Sequence, residues 1–262
     1  MKESFTVGQS MIDRMTTFEA LLGKTNSASY GSSPWRDGTF AMSEDQEPPP
    51  ESKLTRSKER WAREGKFLTG KIARPADQRL PPGQHLTRDW PVLDLGLLPN
   101  VSHERWRLDV YGAVENPLFW DFAQFSAQTQ SQFVSDIHCV TTWSRYDNQW
   151  EGLSTSDLLA TCRPRDEARF VVLHSYDGYT TNLALEDFAA EDALLAHSWS
   201  GAPLEAEHGG PVRLVVPHLY FWKSAKWLKA IEFLGNDAPG YWEVRGYHNR
   251  GDPWSEQRYS DD

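Results

Sequence analysis

The sequence predicts a mixed, β-rich α+β fold with short helices. Many short segments alternate or run apolar like strands, turn signals separate them, and few segments have helical spacing. The 12 Trp, 9 Tyr and 12 Phe residues suit a rigid β-rich core with a walled pocket, although core packing alone would also explain them. A length of 262 residues fits one large domain with tails, or two small domains.

The composition is that of a soluble globular protein, with 39% hydrophobic and 24% charged residues. The formal net charge of −10 argues against nucleic acid as a partner. No apolar run is long enough for a membrane helix, and the start has no secretory or twin-arginine signal. Two cysteines without a signal predict reduced thiols in the cytoplasm. We therefore expect a cytoplasmic monomer without membrane insertion.

The first third of the chain divides into two segments by composition. Ser, Gly, Asn and Asp dominate residues 25–40, and residues 43–51 form an acidic segment that contains three prolines, which predicts that residues 1–52 are a disordered or loosely docked extension. Residues 53–80 are strongly basic and partly helical in pattern. This arm is either a solvated basic face or a docking arm for an acidic electron-transfer partner or for the acidic body. Ordered structure, and with it a domain spanning 81–262, is predicted to begin near Pro81.

Turn, cap and strand signals divide this domain into short elements. Pro91 forces extended backbone at Trp90. Residues 106–111 alternate as a strand, and a short helix is predicted from Asp121. Ser154 opens a capping box for a helix that runs through Cys162, which is expected to be an ordinary thiol. The remaining predicted elements are a buried strand at 170–173, a hairpin turn at 177–178, strands at 180–185 and 193–197, and a helical turn at 186–190.

Residues 133–140 alternate with the period of a strand, yet the pattern is not cleanly amphipathic. Asp136 and His138 share a face with two valines, which indicates a strand that leaves the core and enters a site with Cys139 at the border. A lone cysteine in a strand is more often an ordinary core residue. A second stretch favours a chemical role for Cys139. In it, a Gly-Gly-Pro turn and an apolar strand lead to Lys223 and Lys226, which bracket two small residues. Such a loop suits an anion such as phosphate.

A thiolate donor and an anion-binding loop together indicate a cofactor with a metal at one end and a phosphate at the other. Five blocks carry a resemblance: Cys-Val-x-x-Trp-Ser (139–144), Trp-x-Gly (150–152), Pro-Val-Arg-Leu-Val-Val-Pro (211–217), Lys-Ser-Ala-Lys (223–226) and 246–254. Over residues 85–262 the chain resembles the molybdopterin-binding domain of the sulfite oxidase superfamily, near the bacterial methionine-sulfoxide reductase catalytic subunit. The resemblance implies that family's fold and a molybdenum-molybdopterin cofactor. It also implies two-electron oxo transfer on a small oxyanion or sulfoxide-type substrate, with an unidentified electron-transfer partner.

The resemblance also implies roles for single residues. Cys139 is the expected molybdenum ligand, because a thiolate is a soft donor. His138 replaces the family's arginine and either contacts the cofactor or is a satisfied core histidine. Thr141 stands where the reductases carry a glutamate, and Arg145 is the one arginine near the ligand. The expected catalytic residues are Cys139, His138, Thr141 and Arg145. The expected cofactor-binding residues are Val92, Leu93, His138, Cys139, Ser175, His208, Arg213, Lys223, Ser224, Ala225 and Lys226.

Two other interpretations stay open. A zinc hydrolase would use His138, Cys139, His174 or His218, although no pair of these has the compact spacing of known zinc motifs. A cofactor-free binding module would use the aromatic surface and the basic arm. Ser175 is either a cofactor contact or a turn-forming serine.

Overall fold

The computed structural model describes residues 79–262, which form two β-sheets joined by short helices. The predicted β-rich α+β fold is confirmed in this part of the chain. The predicted extension 1–52 and all but the last two residues of the arm 53–80 lie outside the described residues. The boundaries of these segments therefore stay predictions. No helix of the described part is long and apolar enough to cross a bilayer.

The first sheet has six strands in the order β1-β5-β8-β10, with β4 paired to β5 and β9 paired to β8. The strands are β1 (His85–Leu86), β4 (Ser131–His138), β5 (Trp143–Ser154), β8 (Leu194–Trp199), β9 (Ala202–Pro203) and β10 (Arg213–Val215). Strands β4 and β5 form an antiparallel hairpin, and Cys139 lies in the turn between them. The predicted strand through Cys139 thus ends one residue before it.

The second sheet has five strands in the order β3-β2-β11-β6-β7. These strands are β2 (Arg107–Gly112), β3 (Leu118–Asp121), β6 (Phe170–Ser175), β7 (Thr180–Ala184) and β11 (Leu228–Leu234). Strand β11 runs parallel to β2 and antiparallel to β6, so the sheet is mixed. The turn between β6 and β7 contains Asp177 and Gly178, which confirms the hairpin predicted there.

The helices are short, and two of them begin where the sequence predicts. Helix α1 (Phe122–Ser126) follows Asp121, whose carboxylate accepts the Gln124 N–H. Helix α2 (Thr155–Cys162) follows Ser154, whose hydroxyl accepts the Asp157 N–H. Capping side chains satisfy N–H groups that have no partner within the helix. Further helical elements are α3 (Leu185–Phe188) and three 3₁₀ turns, at Ala206–His208, Phe221–Lys223 and Glu243–Arg245.

Large aromatic side chains fill the core, and the indole N–H groups of two of them donate hydrogen bonds within it. The Trp106 indole donates to the Leu228 carbonyl at 2.9 Å, and Trp150 donates to the Ser135 hydroxyl at 3.0 Å. A buried indole without such a partner would lose a hydrogen bond. Gly152 pairs so closely with β8 that a Cβ there would lie 2.0 Å from the Leu195 carbonyl oxygen. The Trp-x-Gly block therefore places a large ring and allows a close strand contact.

Candidate functional site

A pocket of about 820 Å³, partly open to solvent, lies beside the turn that carries Cys139. This volume includes space that is open to solvent. Eight of its 21 lining residues are aromatic: Trp90, Trp143, Tyr179, Phe221, Trp222, Trp227, Trp242 and Tyr247. The walled pocket expected from the aromatic content is present.

Main-chain hydrogen bonds fix Cys139 on the pocket wall. The Cys139 N–H donates to the Trp143 carbonyl at 2.8 Å, and its own carbonyl accepts the Thr142 N–H at 3.0 Å. The Gln84 side chain donates to the same carbonyl at 3.1 Å. The Cys139 side chain lines the pocket, and its Sγ lies 3.1 Å from the Thr141 hydroxyl oxygen. The structure thus brings Cys139 and Thr141 together in the pocket.

His138 and Arg145 do not line this pocket. His138 Nδ1 lies 2.8 Å from the Ser144 hydroxyl, and burial lowers the histidine pKa to about 4, so the ring is neutral at pH 7. The Ser144 contact holds the His138 ring outside the pocket lining. Arg145 donates to the Arg88 carbonyl, and its guanidinium lies 4.7 Å from the Trp199 ring centroid. The structure does not bring these two residues into the pocket with Cys139, and their expected catalytic roles stay predictions.

Arg213 lines the pocket although its side chain is almost fully buried. Its guanidinium donates to the carbonyls of His208 and Ser224, each at 2.8 Å, and lies 4.1 Å from the Phe221 ring centroid. Burial lowers the pKa of Arg213 to about 9. No carboxylate of residues 79–262 lies within ion-pair distance of this group. A buried cation without an acid partner favours an anionic ligand in the pocket.

Lys226 also lines the pocket, beside Ser224. Its ammonium donates to the Glu207 carbonyl at 2.8 Å and lies 4.3 Å from the Trp227 ring centroid. Gly209 packs against the Lys226 side chain. Its φ of 104° is left-handed, and a Cβ there would lie 2.9 Å from Lys226 Cβ. The Gly-Gly-Pro turn read from the sequence therefore packs directly on the lysine of the anion-binding loop.

Lys223 and Ala225 do not line the pocket. The Lys223 ammonium is fully buried, 2.6 Å from Glu243 Oε1 and 2.9 Å from the Asn182 carbonyl oxygen. Burial lowers the pKa of Lys223, and the Glu243 carboxylate opposes that shift. Ala225 is buried, and its carbonyl accepts the Leu214 N–H. Of the two lysines expected to bind the anion, Lys226 therefore lines the pocket and Lys223 forms an internal ion pair.

The remaining predicted contacts fall mostly at the pocket. Val92, Leu93 and His208 line it. The His208 ring stacks on Trp90 at 3.8 Å between centroids, and burial lowers its pKa to about 4. Ser175 is buried but is not a lining residue, and its hydroxyl has no hydrogen-bond partner among the described residues.

Asp177 and Tyr247 are among the pocket residues that sequence reasoning missed. Asp177 accepts the Tyr179 N–H at 3.0 Å, and burial raises the aspartate pKa to about 6. Burial raises the pKa of Tyr247 well above its ordinary value, and nearby Tyr259 and Cys139 add to the effect, so its phenol stays neutral. The signals were present: Asp177 forms the Asp-Gly hairpin signal, and Tyr247 lies in the 246–254 block.

The structure does not gather the residues of the zinc interpretation. His174 pairs with Glu232 at 3.1 Å on the second sheet, and His218 pairs with Asp187 at 2.9 Å. Within residues 79–262, the cluster whose ligand atoms are close enough to hold a metal is Glu205, Glu207 and His208. This cluster contains none of the four residues proposed for zinc.

Three comparisons with known proteins agree with one another. Residues 95–242 match the family model of the oxidoreductase molybdopterin binding domain. The chain is 48% identical over 190 residues to the uncharacterized oxidoreductase YuiH of Bacillus subtilis, covering 71% of this chain and 96% of the relative. It is 27% identical over 172 residues to the protein-methionine-sulfoxide reductase catalytic subunit MsrP of Campylobacter jejuni, covering 57% of this chain and 56% of that protein.

A solved structure shares the fold. The sulfane dehydrogenase SoxCD of Paracoccus pantotrophus superposes with a TM-score of 0.54 at 17% identity, over 89% of this chain and 66% of that one. The family model covers more than half of the chain, and the first relative is matched over nearly its whole length. The chain therefore belongs to the oxidoreductase molybdopterin-binding domain family, whose members are sulfite oxidase-like, molybdopterin-dependent oxidoreductases.

Proposed function

We propose that this protein transfers an oxo group in a two-electron reaction on a small, neutral, sulfoxide-type substrate, with Cys139 as the protein ligand of molybdenum. One observation carries the proposal: the Cys139 thiol shares its pocket with the buried Arg213 guanidinium, which has no acid partner among the described residues. When bound, the molybdenum-molybdopterin supplies a metal that exchanges two electrons and an oxo group.

The donor set of the pocket fits this cofactor. The Cys139 thiolate is a soft ligand of the kind such a metal prefers. Arg213 and Lys226 would hold the phosphate end, because their charges lie on the pocket wall near Ser224. Asp177 offers an acceptor to donors on the organic part of the cofactor. The aromatic wall would hold the ring system flat and exclude water.

The charge distribution favours a neutral substrate over an oxyanion. An oxyanion needs a cation beside the reacting metal, and the nearest sequence candidate, Arg145, is directed to the Arg88 carbonyl and the Trp199 ring instead. The pocket cations Arg213 and Lys226 are assigned to the phosphate end. Close to the ligand sulfur lies the neutral hydroxyl of Thr141, which can donate a hydrogen bond to a substrate oxygen. The name of the MsrP relative, a methionine-sulfoxide reductase, agrees with this class.

The test compares substrates on cofactor-loaded protein. Molybdenum content and the fluorescence of the released, oxidised pterin are measured first, and reduced viologen then supplies electrons to methionine sulfoxide, dimethyl sulfoxide or nitrate. We expect about one molybdenum per chain and turnover of the sulfoxides in preference to nitrate. Cys139→Ser should lose turnover, whereas the matched control Cys162→Ser should keep it, because Cys162 is buried away from the pocket. Protein without molybdenum, or with nitrate as the better substrate, would contradict the proposal.

The cytoplasmic location and the monomeric state remain predictions. The two cysteines of the chain are both free thiols, which agrees with a reducing compartment. Cell fractionation and the solution mass of the purified protein are the corresponding measurements.

A further inference from the structure

The described part of the chain begins at an ion pair on the first sheet. Arg79, near the end of the basic arm, donates through Nε to Asp136 Oδ2 and through Nη2 to Asp147 Oδ1, each at 2.8 Å. Its guanidinium also lies 4.6 Å from the centroid of the Tyr146 ring. The Asp147 N–H donates to Asp136 Oδ1 at 3.1 Å, which holds the two acids together. The arm therefore enters the domain over a pair of neighbouring carboxylates.

These two acids lie on the outward face of the β4–β5 hairpin. Side chains alternate between the two faces of a strand, and Asn148 and Trp150 between them on β5 are buried. The strand register places Val134 opposite Gln149 and Gln132 opposite Glu151 on the same outward side. The residues that we call the hairpin face are Gln132, Val134, Asp136, Asp147, Gln149 and Glu151.

The hairpin face carries an unbalanced negative charge. Three of its six residues are acids, and none is a lysine or an arginine. Within residues 79–262, the ion pairs of Asp136 and Asp147 go to Arg79, and Glu151 has no ion pair. The Asp147 side chain is still 68% exposed, so a second cation can reach it. Residues 53–78, which precede Arg79, supply eight basic and three acidic side chains.

We propose that residues 53–78 dock on the hairpin face of the same chain, and that Lys71 and Arg74 pair with Asp147 and Glu151. Chain length allows this arrangement. Asp147 and Glu151 are four residues apart on β5, which is about 13 Å at about 3.3 Å per residue. Arg74 stands five residues and Lys71 eight residues before Arg79, so they reach about 16 Å and about 26 Å from it.

Two features favour this segment as the occupant. Arg79 already holds its end on the hairpin face, and a tethered segment binds at a high effective concentration. Val134 is 64% exposed beside the acids, and apolar side chains at Trp61, Phe67 and Leu68 stand among the basic residues of the arm. The composition of the arm thus matches both the charge and the apolar part of the face. Because β4 ends one residue before Cys139, docking braces the strand that leads to the pocket.

Trypsin cleavage of the 262-residue chain under native conditions tests the docking. The rate of cleavage after Lys71 is measured by mass spectrometry and divided by the rate after Lys24, a reference site in the extension. For Asp147→Asn/Glu151→Gln we expect this ratio to rise about threefold, because cleavage follows the population of the undocked arm. About 0.5 M sodium chloride should raise the ratio of the native protein similarly, since salt screens exposed ion pairs. Asn tolerates the positive φ of 54° at position 147, so the variant should fold.

The matched control is Asp166→Asn/Glu167→Gln, which removes two exposed acids from the loop before β6 and should change the ratio by less than about 1.5-fold. Carbodiimide, which joins amines directly to carboxylates, should link Lys71 to Asp147 or Glu151 within one chain. A mixture of normal and ¹⁵N-labelled chains separates this link from one between two copies.

Four results would overturn docking within the chain: an unchanged ratio in Asp147→Asn/Glu151→Gln, an equal rise in the control, the absence of both Lys71 links, or a link that joins the two isotopes. These measurements need no metal, so their outcome is independent of the proposed function.

Discussion

We predict that the ion pair of Lys223 and Glu243 stabilises the fold and does not bind the cofactor, although Lys223 lies in a sequence block expected to bind it. The Lys223 ammonium lies 2.6 Å from Glu243 Oε1 and 3.0 Å from Asn182 Oδ1, and the Lys223 and Glu243 side chains are at most 1% exposed. Lys223→Met keeps the volume of the aliphatic chain and leaves the carboxylate buried without its cation. Breaking a buried pair from one side costs about 3–5 kcal/mol.

Urea unfolding of metal-free protein, followed by tryptophan fluorescence, measures this cost. We expect the midpoint to fall for Lys223→Met and to recover in part for Lys223→Met/Glu243→Gln, because the second change removes the stranded charge. The matched control is Lys226→Met, which should change stability by less than about 1 kcal/mol, since its half-buried ammonium binds a carbonyl. Only the Lys226 variant should lower pterin retention. A stable Lys223→Met protein that loses pterin would refute the assignment of Lys223 to the core.

Three further outcomes follow from the pocket and the core. The raised pKa of Asp177, about 6 against an ordinary 3.8, means that the folded state favours the protonated acid, so a stabilising contribution is lost as pH rises from about 4 to about 6. In metal-free protein, unfolding curves of Asp177→Asn should lack up to about 3 kcal/mol of this pH dependence, and an unchanged dependence would contradict the burial. Gly209→Ala should weaken pterin retention through Lys226, read by pterin fluorescence, and full retention would argue against the packing. Cys162→Ala should keep turnover and should lower the free energy of unfolding in urea by about 1 kcal/mol, because the residue is fully buried. Loss of turnover would contradict a purely structural role for Cys162.

Local sequence signals predicted much of the fold. Asp121 and Ser154 cap helices because their side chains bond the first N–H groups, a rule that needs no tertiary information. The broken alternation near His138 predicted where a strand leaves the core, and β4 ends at that residue. Cys139 reaches the pocket as expected from its place at this border.

Side-chain direction in the loops was not predictable in the same way. Lys223 and Lys226 look equivalent in sequence, yet a 3₁₀ turn at Phe221–Lys223 directs the first toward Glu243, twenty residues further on. His138 was expected to be either a cofactor contact or a core histidine, and the structure gives its ring a contact with the Ser144 hydroxyl outside the pocket. Asp177 was not predicted as a pocket residue, because its place in the Asp-Gly turn of a hairpin already explained the residue type.

The most direct test of the account is the sulfur coordination of molybdenum in the purified holoenzyme. X-ray absorption at the molybdenum edge counts sulfur neighbours of the metal, for the native protein and for Cys139→Ser. We expect the variant to lose one sulfur scatterer while it keeps those of the pterin, because we propose the Cys139 thiolate as the protein ligand. An identical sulfur shell in both proteins would contradict that bond.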